Sequence, residues 1–221
     1  MHLLGYDMVA IRLHADEVGG DYYDCITMKD GRVVMVMADV TGKGVAASLL
    51  VNSLHAALRV HLDHEMDTIT VVRRLNSFLY QSTPPNAFIT FMIAVLLPET
   101  GEVDIVNAGH NPALIHENSS VVETQRSKHL PLGCMAYGRS YHSERFVLNP
   151  GEGMLLFTDG ITEAMNRKRE PFGQEALERL LKEHKGKDAS MLLGVIVAEL
   201  QHYAQGAEQS DDITALYLRR S

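Results

Sequence analysis

The chain contains few cysteines and no run of basic residues. Its 221 residues include only Cys25 and Cys134, which form no CxxC pair. Nothing therefore indicates a disulfide framework or a structural zinc site, and a reducing cytoplasm fits best. The formal net charge of −8 disfavours non-specific binding to nucleic acid or to an anionic membrane, so neither is an expected partner.

Long apolar runs and targeting signals are absent too. The longest apolar run, residues 87–97, is too short to cross a bilayer. The N-terminal stretch MHLLGYDMVAIRLHADE contains Asp and Glu and has no cleavable signal pattern. We therefore expect a cytoplasmic protein without a membrane-spanning segment. Hydrophobic residues make up 46% of the chain, which is enough for one sizeable core and predicts a single domain over residues 1–221.

The pattern of apolar residues predicts an α+β protein with segregated layers. Strand-like runs cover residues 5–12, 32–38, 87–97, 102–108, 112–117, 144–148, 153–158 and 213–219. Asp30-Gly31 and Thr100-Gly101 are typical hairpin turns, and such short connections imply antiparallel pairing. Helical periodicity covers residues 45–62, 67–81, 173–184 and 189–204. In the first of these helices seven apolar residues fall on one face, the side that an amphipathic helix turns towards a core: Ala46, Leu49, Leu50, Leu54, Ala57, Leu58 and Leu62.

Aspartates meet glycines at the ends of several predicted strands. The four places are VGGDYYD (Asp21, Asp24), MADVTGKG (Asp39), LFTDGITE (Asp159) and QSDDIT (Asp211, Asp212). One such aspartate is usually a turn residue or a helix cap. Several carboxylates at the ends of buried strands would repel each other unless a cation lies between them. Oxygen ligands suit hard cations such as Mg²⁺ and Mn²⁺, and a paired-metal site can activate water against a phosphoryl group.

Two nucleotide-binding motifs compete for the stretch after Asp39. A Walker loop, GxxxxGK followed by Ser or Thr, fails here because Gly44 follows Lys43. A Rossmann-type GxGxxA pattern does match residues 42–47. That motif is weak alone, and the chain does not alternate strands with helices as a dinucleotide-binding domain does.

Six motifs together resemble one family. EVGGDYYD, ADVTGKGVAAS, NAGHNPALI, LPLG, LLFTDGITEAMN and DDIT occur in this order between about residues 8 and 219. The set is similar to the bacterial SpoIIE/RsbU-type serine phosphatases, a branch of the metal-dependent, protein phosphatase 2C-like enzymes. The resemblance implies a sandwich of two antiparallel β-sheets flanked by α-helices on both faces. It also implies hydrolysis of phosphoserine or phosphothreonine on a protein, with two Mn²⁺ or Mg²⁺ ions.

The resemblance also implies roles for individual residues. Metal ligands or holders of metal-bound water, and hence catalytic residues, are Asp21, Asp39, Asp159 and Asp211. Asp39 would bridge both ions, the Val40 carbonyl would add an oxygen, and Asp212 ranks below its neighbour Asp211 as a ligand. The expected mechanism is direct attack by a metal-bridging water. No cysteine or serine nucleophile is then needed, and Cys25 is expected in the core.

The chain departs from eukaryotic relatives after Asp39. They carry a histidine, proposed to act as a general acid, where this chain has Val40-Thr41-Gly42. The general acid therefore stays unassigned. Lys43 is interpreted as a solvent-facing turn lysine and His110 as a turn histidine that holds its hairpin by hydrogen bonds.

The resemblance further implies partners. The expected substrate is a phosphorylated STAS-type anti-anti-sigma-factor protein in a bacterial partner-switching pathway. A regulatory protein or sensor domain is expected to act on the helices of residues 45–81, and a homodimer is considered as well. The chain is also considered as the C-terminal catalytic part of a longer signalling protein. Two alternatives stay open: a catalytically weak pseudophosphatase that binds or scaffolds phosphoproteins, and a phosphohydrolase for small molecules.

Overall fold

The computed structural model describes residues 3–15, 17–64, 67–84, 86–117, 120–124, 129–136 and 141–221. Over these residues the strands are β1 Tyr6–Leu13, β2 Asp21–Thr27, β3 Val33–Val40, β4 Ile89–Leu97, β5 Glu102–Ala108, β6 Leu114–His116, β7 Val121–Glu123, β8 Glu144–Val147, β9 Gly153–Phe157 and β10 Ile213–Arg220. The helices are α1 Gly44–His64, α2 Thr68–Ser82, α3 Gln174–Glu183 and α4 Ala189–Ala204.

These elements form two compact units, each built on one five-stranded antiparallel sheet. The first unit comprises Asp16–Asn111 and Gln125–Val147, with strand order β2-β3-β4-β5-β8 and helices α1 and α2. The second unit comprises Met1–Ala15, Pro112–Thr124 and Leu148–Ser221, with strand order β1-β10-β9-β6-β7 and helices α3 and α4. The predicted fold class, two antiparallel sheets with helices, is confirmed. The prediction of one domain is not tested by this division.

Both predicted hairpin turns are present. The Gly31 N–H donates to the Met28 carbonyl at 3.0 Å between β2 and β3, and the Gly101 N–H donates to the Leu97 carbonyl at 2.8 Å between β4 and β5. Strand β2 is not among the predicted runs, because its sequence DYYDCIT mixes charged and apolar residues without a regular alternation. Strand β7 is absent from them as well, because three residues are too few for an alternating pattern to be recognised.

The core of the first unit is built on alternate residues of β3. Val34, Val36 and Ala38 belong to one buried cluster with leucines of α1 and α2. Val33, Met35 and Met37 have the opposite parity and are fully buried as well. Since side chains alternate across a strand, Asp39 lies on the same sheet face as Met35 and Met37, at the end of a strand that is buried on both faces.

Helix α1 is only partly buried. Leu54, Leu58 and Leu62 pack into the core, as the periodicity predicts. The prediction was wrong for Ala46 and Leu49, which are exposed, the latter by 61%. A face with Val45, Leu49 and Val60 therefore has no cover among the described residues.

By length and composition alone, α1 could cross a membrane, with a mean hydropathy of 1.3 over Gly44–Asp63. The prediction from apolar runs overlooked this because Ser48 and Asn52 interrupt the apolar stretch. The buried leucines show that the helix contributes to a folded core, and core helices pass the same test.

The second unit has its own core. Alternate residues of β9 and β10, among them Leu155, Phe157 and Tyr217, pack with leucines of α3 and α4. Asp188 caps α4 by accepting a hydrogen bond from the Met191 N–H at 2.7 Å. The helix ends at Ala204, where Gln205 adopts the left-handed conformation and turns the chain back towards β10.

Candidate metal centre

Two predicted ligands lie directly opposite each other in the first unit. Asp21 begins β2, Asp39 is the penultimate residue of β3, and the antiparallel register pairs their Cα atoms. Directly opposite residues of antiparallel strands place their Cβ atoms about 4.5–5.5 Å apart on one sheet face. Asp21 is only 3% exposed. Two carboxylates this close, one of them buried, favour a cation between them.

Backbone oxygens complete an oxygen-rich cradle beside this pair. The Val40 N–H donates to the Gly20 carbonyl at 3.2 Å. A Cβ atom on Gly20 would lie 2.9 Å from the Val40 carbonyl oxygen and 3.5 Å from Asp39 Oδ1. Only glycine therefore leaves this space open. Carboxylate and carbonyl oxygens are the ligands of hard divalent cations, so the residues present here fit Mg²⁺ or Mn²⁺.

The turn after Asp39 explains the glycines of the ADVTGKG motif. Gly42 and Gly44 have φ values of 96° and 70°, which residues with a side chain rarely adopt. They allow the chain to pass from the end of β3 into α1 within four residues. Lys43 between them is exposed, in agreement with its interpretation as a turn lysine.

A third strand supports Asp39 from the other side. Thr90 of β4 is the register partner of Asp39, and its Oγ1 lies 3.4 Å from the Asp39 carbonyl oxygen. The same hydroxyl lies 2.8 Å from Nδ1 of His110, which is buried. Sequence reasoning missed Thr90, because no local motif marks it and only the strand register places it beside Asp39.

His110 is held by its own turn. Its N–H donates to Asn107 Oδ1 at 2.8 Å, and Asn107 Nδ2 donates to the His110 carbonyl at 3.0 Å. The interpretation of a turn histidine held by hydrogen bonds is confirmed. The contact with Thr90 adds that this turn also supports the strand beside Asp39.

Thr41 stands where eukaryotic relatives have an acid, but its hydroxyl is already engaged. Thr41 Oγ1 donates to the Phe88 carbonyl at 3.1 Å and accepts from the Phe88 N–H at 3.0 Å. The Thr41 N–H also donates to the Phe88 carbonyl, at 3.0 Å. Thr41 therefore fixes the end of β3 against the start of β4.

The second unit brings another set of carboxylates together. Asp159 follows β9 after Thr158, and its carbonyl accepts a hydrogen bond from the Glu163 N–H at 2.8 Å. Burial, and then the carboxylates of Glu163 and Asp211, raise the pKa of Asp159 above its usual range. Such mutual repulsion is relieved by a bound cation. The donor set again fits a hard divalent ion.

Close backbone contacts fix these carboxylates relative to each other. A Cβ atom on Gly160 would lie 1.9 Å from the Asp212 carbonyl oxygen, so only glycine fits. The fully buried Thr158 and Thr214 join β9 to β10: the Thr158 N–H donates to the Thr214 carbonyl at 3.0 Å, and the Thr214 N–H donates to Thr158 Oγ1 at 3.1 Å. These bonds fix the end of β9, directly before Asp159, against β10.

The structure gives Asp211 and Asp212 different surroundings. Asp212 is 5% exposed, and its Oδ1 accepts from the Ala15 N–H at 3.0 Å and lies 3.7 Å from His14 Nδ1. Its Oδ2 is buried and has no hydrogen-bond partner among the described residues. Asp211 is exposed and is one of the two carboxylates that raise the pKa of Asp159. Asp211 therefore interacts with Asp159, whereas Asp212 anchors the chain after β1 through Ala15. The ranking of Asp211 above Asp212 as a ligand stays a prediction.

No group of three His, Cys, Asp or Glu side chains in metal-binding geometry occurs among the described residues. The four aspartates come as two pairs, one in each unit. That all four aspartates bind the same metal centre stays a prediction. Cys25 is partly buried, and burial followed by the Asp24 carboxylate raises its thiol pKa to about 11. The thiol is therefore protonated at neutral pH, which argues against a cysteine nucleophile.

Comparison with known proteins places these motifs in a family. Residues 29–221 match the family model described as Stage II sporulation protein E (SpoIIE). The phosphoserine phosphatase RsbU of Bacillus subtilis is 28% identical over 218 residues, which cover 97% of this chain and 63% of RsbU. The chain spans less than two thirds of the length of the curated relatives that it matches over most of its own length.

Solved structures share the fold. The RsbU and RsbW domains of a Mycobacterium tuberculosis protein align with a TM-score of 0.81 at 25% identity, over 98% of this chain and 60% of that one. The PP2C phosphatase domain of Bacillus subtilis SpoIIE gives 0.84 at 20% identity, over 97% and 63%. The catalytic domain of the phosphatase PstP, in complex with two manganese ions, gives 0.71 at 12% identity, over 97% of each chain. The expected protein phosphatase 2C-like fold is confirmed.

Proposed function

Because the chain belongs to the SpoIIE family, with RsbU-type phosphatases among its relatives, we propose that it is a metal-dependent protein serine/threonine phosphatase. The observation that carries the proposal is the pairing of Asp21 with Asp39 beside the open cradle of Gly20 and the Val40 carbonyl. Two carboxylates held this close together at the end of a buried strand repel each other, and a cation bound between them relieves that repulsion. Every aspartate of the family motifs is retained, which disfavours a decayed pseudophosphatase.

The proposed cofactors are two divalent cations, Mn²⁺ or Mg²⁺. The residues that would hold them are Asp21, Asp39, the Val40 carbonyl, Asp159 and Asp211. When bound, such cations supply an activated water and neutralise the charge of the phosphoryl group. The chain itself positions these ligands. The strand register sets Asp21 opposite Asp39, and Gly160 lets the backbone beside Asp159 approach the Asp212 carbonyl. Manganese in the PstP structure supports the class of metal.

The proposed substrate is a phosphoserine or phosphothreonine on a STAS-type anti-anti-sigma-factor protein, in the cytoplasm of a bacterium. Support comes from the resemblance to RsbU-type enzymes and from the names of two relatives, the phosphoserine phosphatases RsbU and RsbP. The acidic balance of the chain agrees with a protein partner rather than nucleic acid.

Helix α1 is the proposed contact for a regulator. It begins five residues after Asp39, and its face with Val45, Leu49 and Val60 is exposed. An exposed apolar face of this kind is typical of a protein interface. A regulatory protein, a sensor domain or a second copy of the chain bound there could shift the segment that follows Asp39.

The test is Mn²⁺-dependent release of phosphate from an aryl phosphate and from phosphoserine peptides. Asp39→Asn and Asp159→Asn should lose turnover, whereas Asp63→Asn, at an exposed position near the end of α1, should keep it. Specific activity that rises with protein concentration would support the dimer. Absence of metal-dependent turnover on every phosphopeptide and phosphoprotein offered would refute the enzyme proposal.

A further inference from the structure

A cavity of about 320 Å³ lies within the second unit. It is bounded by the C-terminal half of α4, by residues 160–165 and by the segment 206–211 that leads to β10. Its walls are mostly apolar and include Leu13, Ala164, Val197, Leu200, Ala204 and Ile213. A volume near the lower end of the range of about 300–1,000 Å³ for ligand sites suits a single large side chain better than a nucleotide or a cofactor.

The cavity adjoins the candidate metal centre. Asp211 and Gly160 belong to its lining, and Gly160 directly follows Asp159. Its charged lining residues, Glu208 and Asp211, are both carboxylates. The Arg167 guanidinium lies near Gly206 at one edge. The lining is therefore mostly apolar, and its charged residues are acidic.

The rim of the cavity is braced by hydrogen bonds. Gln209 Nε2 donates to the Leu13 carbonyl at 2.9 Å and to the Asp211 carbonyl at 2.7 Å. These bonds tie the segment before β10 to the end of β1. A cavity held open in this way costs a ligand little reorganisation on binding.

We propose that this cavity binds an apolar side chain that flanks the phosphorylated residue of the protein substrate. The inference rests on the proposed function, in which Asp159 and Asp211 would hold cations that neutralise the phosphoryl group. Asp211 lines the cavity and is also a proposed metal ligand, and an extended peptide advances about 3.3–3.6 Å per residue. The first or second neighbour of the phosphoserine is therefore the part of the substrate that would reach the cavity. Leucine, methionine or phenylalanine would bury its surface there, and the carboxylate of Glu208 would repel an acidic neighbour.

The first experiment uses the unmodified chain with Mn²⁺ and a set of phosphoserine peptides. The peptides differ only in the one or two residues on either side of the phosphoserine, which are Gly, Leu, Phe or Asp. At one flanking position, Leu or Phe should raise kcat/KM by about tenfold over Gly, the scale of specificity that an apolar pocket provides. Asp at that position should give the lowest value.

Two substitutions then test whether this cavity is responsible. Ala204→Leu narrows it and should lower the ratio of kcat/KM for the Leu peptide over the Gly peptide by about tenfold. Val197→Ala enlarges it and should shift the preference from Leu towards Phe. Ala198→Leu makes the same change as Ala204→Leu at an exposed position of α4 outside the cavity, and the ratio should not move.

The outcomes separate this inference from the proposed function. Turnover of an aryl phosphate with no preference among the flanking residues would overturn the inference and leave the phosphatase intact. A preference that survives Ala204→Leu and Val197→Ala unchanged, in variants that unfold at the parent temperature, would also overturn it. Loss of all metal-dependent turnover in the parent would instead remove the proposed function.

Discussion

The two aspartate pairs are held in different ways. Asp21 and Asp39 lie inside regular strands, where register alone sets their spacing, and Thr90 supports Asp39 from the third strand. Asp159 and Asp211 lie outside strands, on the segment after β9 and the segment before β10. Their spacing depends on Gly160, whose backbone passes against the Asp212 carbonyl. The first pair is therefore fixed by a sheet and the second by loops.

In the second pair, the ionised form of Asp159 is electrostatically unfavourable. Burial and two neighbouring carboxylates raise the pKa of Asp159, so its ionised form is disfavoured in the metal-free fold. Strand register therefore holds one pair of carboxylates, whereas loops hold the other pair, which carries this cost. We expect a bound cation to relieve the cost at the second pair.

The largest expected effect comes from removing a ligand of either pair. Asp21→Asn and Asp211→Asn should each lower Mn²⁺-dependent kcat/KM for an aryl phosphate on the order of 10³-fold, because each removes several kcal/mol of charge stabilisation. Steady-state kinetics at saturating Mn²⁺ measures this. The control is Asp212→Asn, whose side-chain oxygen can still accept from the Ala15 N–H, and it should lose less than tenfold. A loss in Asp212→Asn equal to that in Asp211→Asn would contradict the assignment of the two neighbours.

Substitution of the glycine beside each pair should lower the free energy of unfolding by different amounts. The added Cβ in Gly160→Ala would meet a backbone carbonyl at 1.9 Å, against 2.9 Å in Gly20→Ala. We expect Gly160→Ala to lower the free energy of unfolding by about 3 kcal/mol or more, and Gly20→Ala by about 1–2 kcal/mol. Urea denaturation in chelator measures both.

The matched control is Gly194→Ala in α4, where a Cβ meets nothing within 4 Å and helix propensity should stabilise the chain slightly. An equal loss of unfolding free energy in Gly160→Ala and Gly20→Ala would contradict this difference. It would show that the backbone near Gly160 adjusts to an added Cβ as readily as the backbone near Gly20.

Thr90→Val should weaken metal binding without unfolding the chain. The change keeps the shape but removes the hydroxyl that lies between the Asp39 carbonyl and His110. Loss of such support around a ligand typically costs 10–100-fold in metal affinity, and we expect about tenfold. Calorimetric titration with Mn²⁺ measures the change. Thr100→Val, at an exposed hairpin position, should leave the affinity unchanged. An unchanged affinity in Thr90→Val would show that register alone is sufficient to position Asp39.

Much of this arrangement could be predicted from the sequence, because it depends on local signals. Hairpin turns, strand ends and the glycine turn before α1 all leave marks within a few residues. The register that sets Asp21 opposite Asp39 and Thr90 beside it leaves no such mark, since it arises from pairing between distant segments. Adjacent Asp211 and Asp212 could not be separated either, because their different burial depends on contact with Ala15. The exposure of one side of α1 could not be predicted either. Periodicity identifies an apolar helix face but does not show which other segments pack against that face.

The smallest expected effect tests the strain in the second pair directly. Asp159 has a raised pKa in the folded chain, so between the usual value of about 3.9 and the raised value the folded state holds the proton more tightly than the unfolded state. The stability of the metal-free chain should therefore fall as the pH rises through that interval. Above it the ionised carboxylate stays destabilising.

Asp159→Asn removes this charge and should raise the free energy of unfolding in chelator at pH 7 by roughly 0.5–1 kcal/mol, the scale of interactions between partly exposed charges. Thermal unfolding of parent, Asp159→Asn and the exposed control Asp63→Asn between pH 5 and 8 measures it. With Mn²⁺ present the order should reverse, because only the parent is stabilised by bound metal. A lower stability of Asp159→Asn in chelator would show that favourable contacts hold this carboxylate in the metal-free chain, and it would contradict the strain inferred for the second pair.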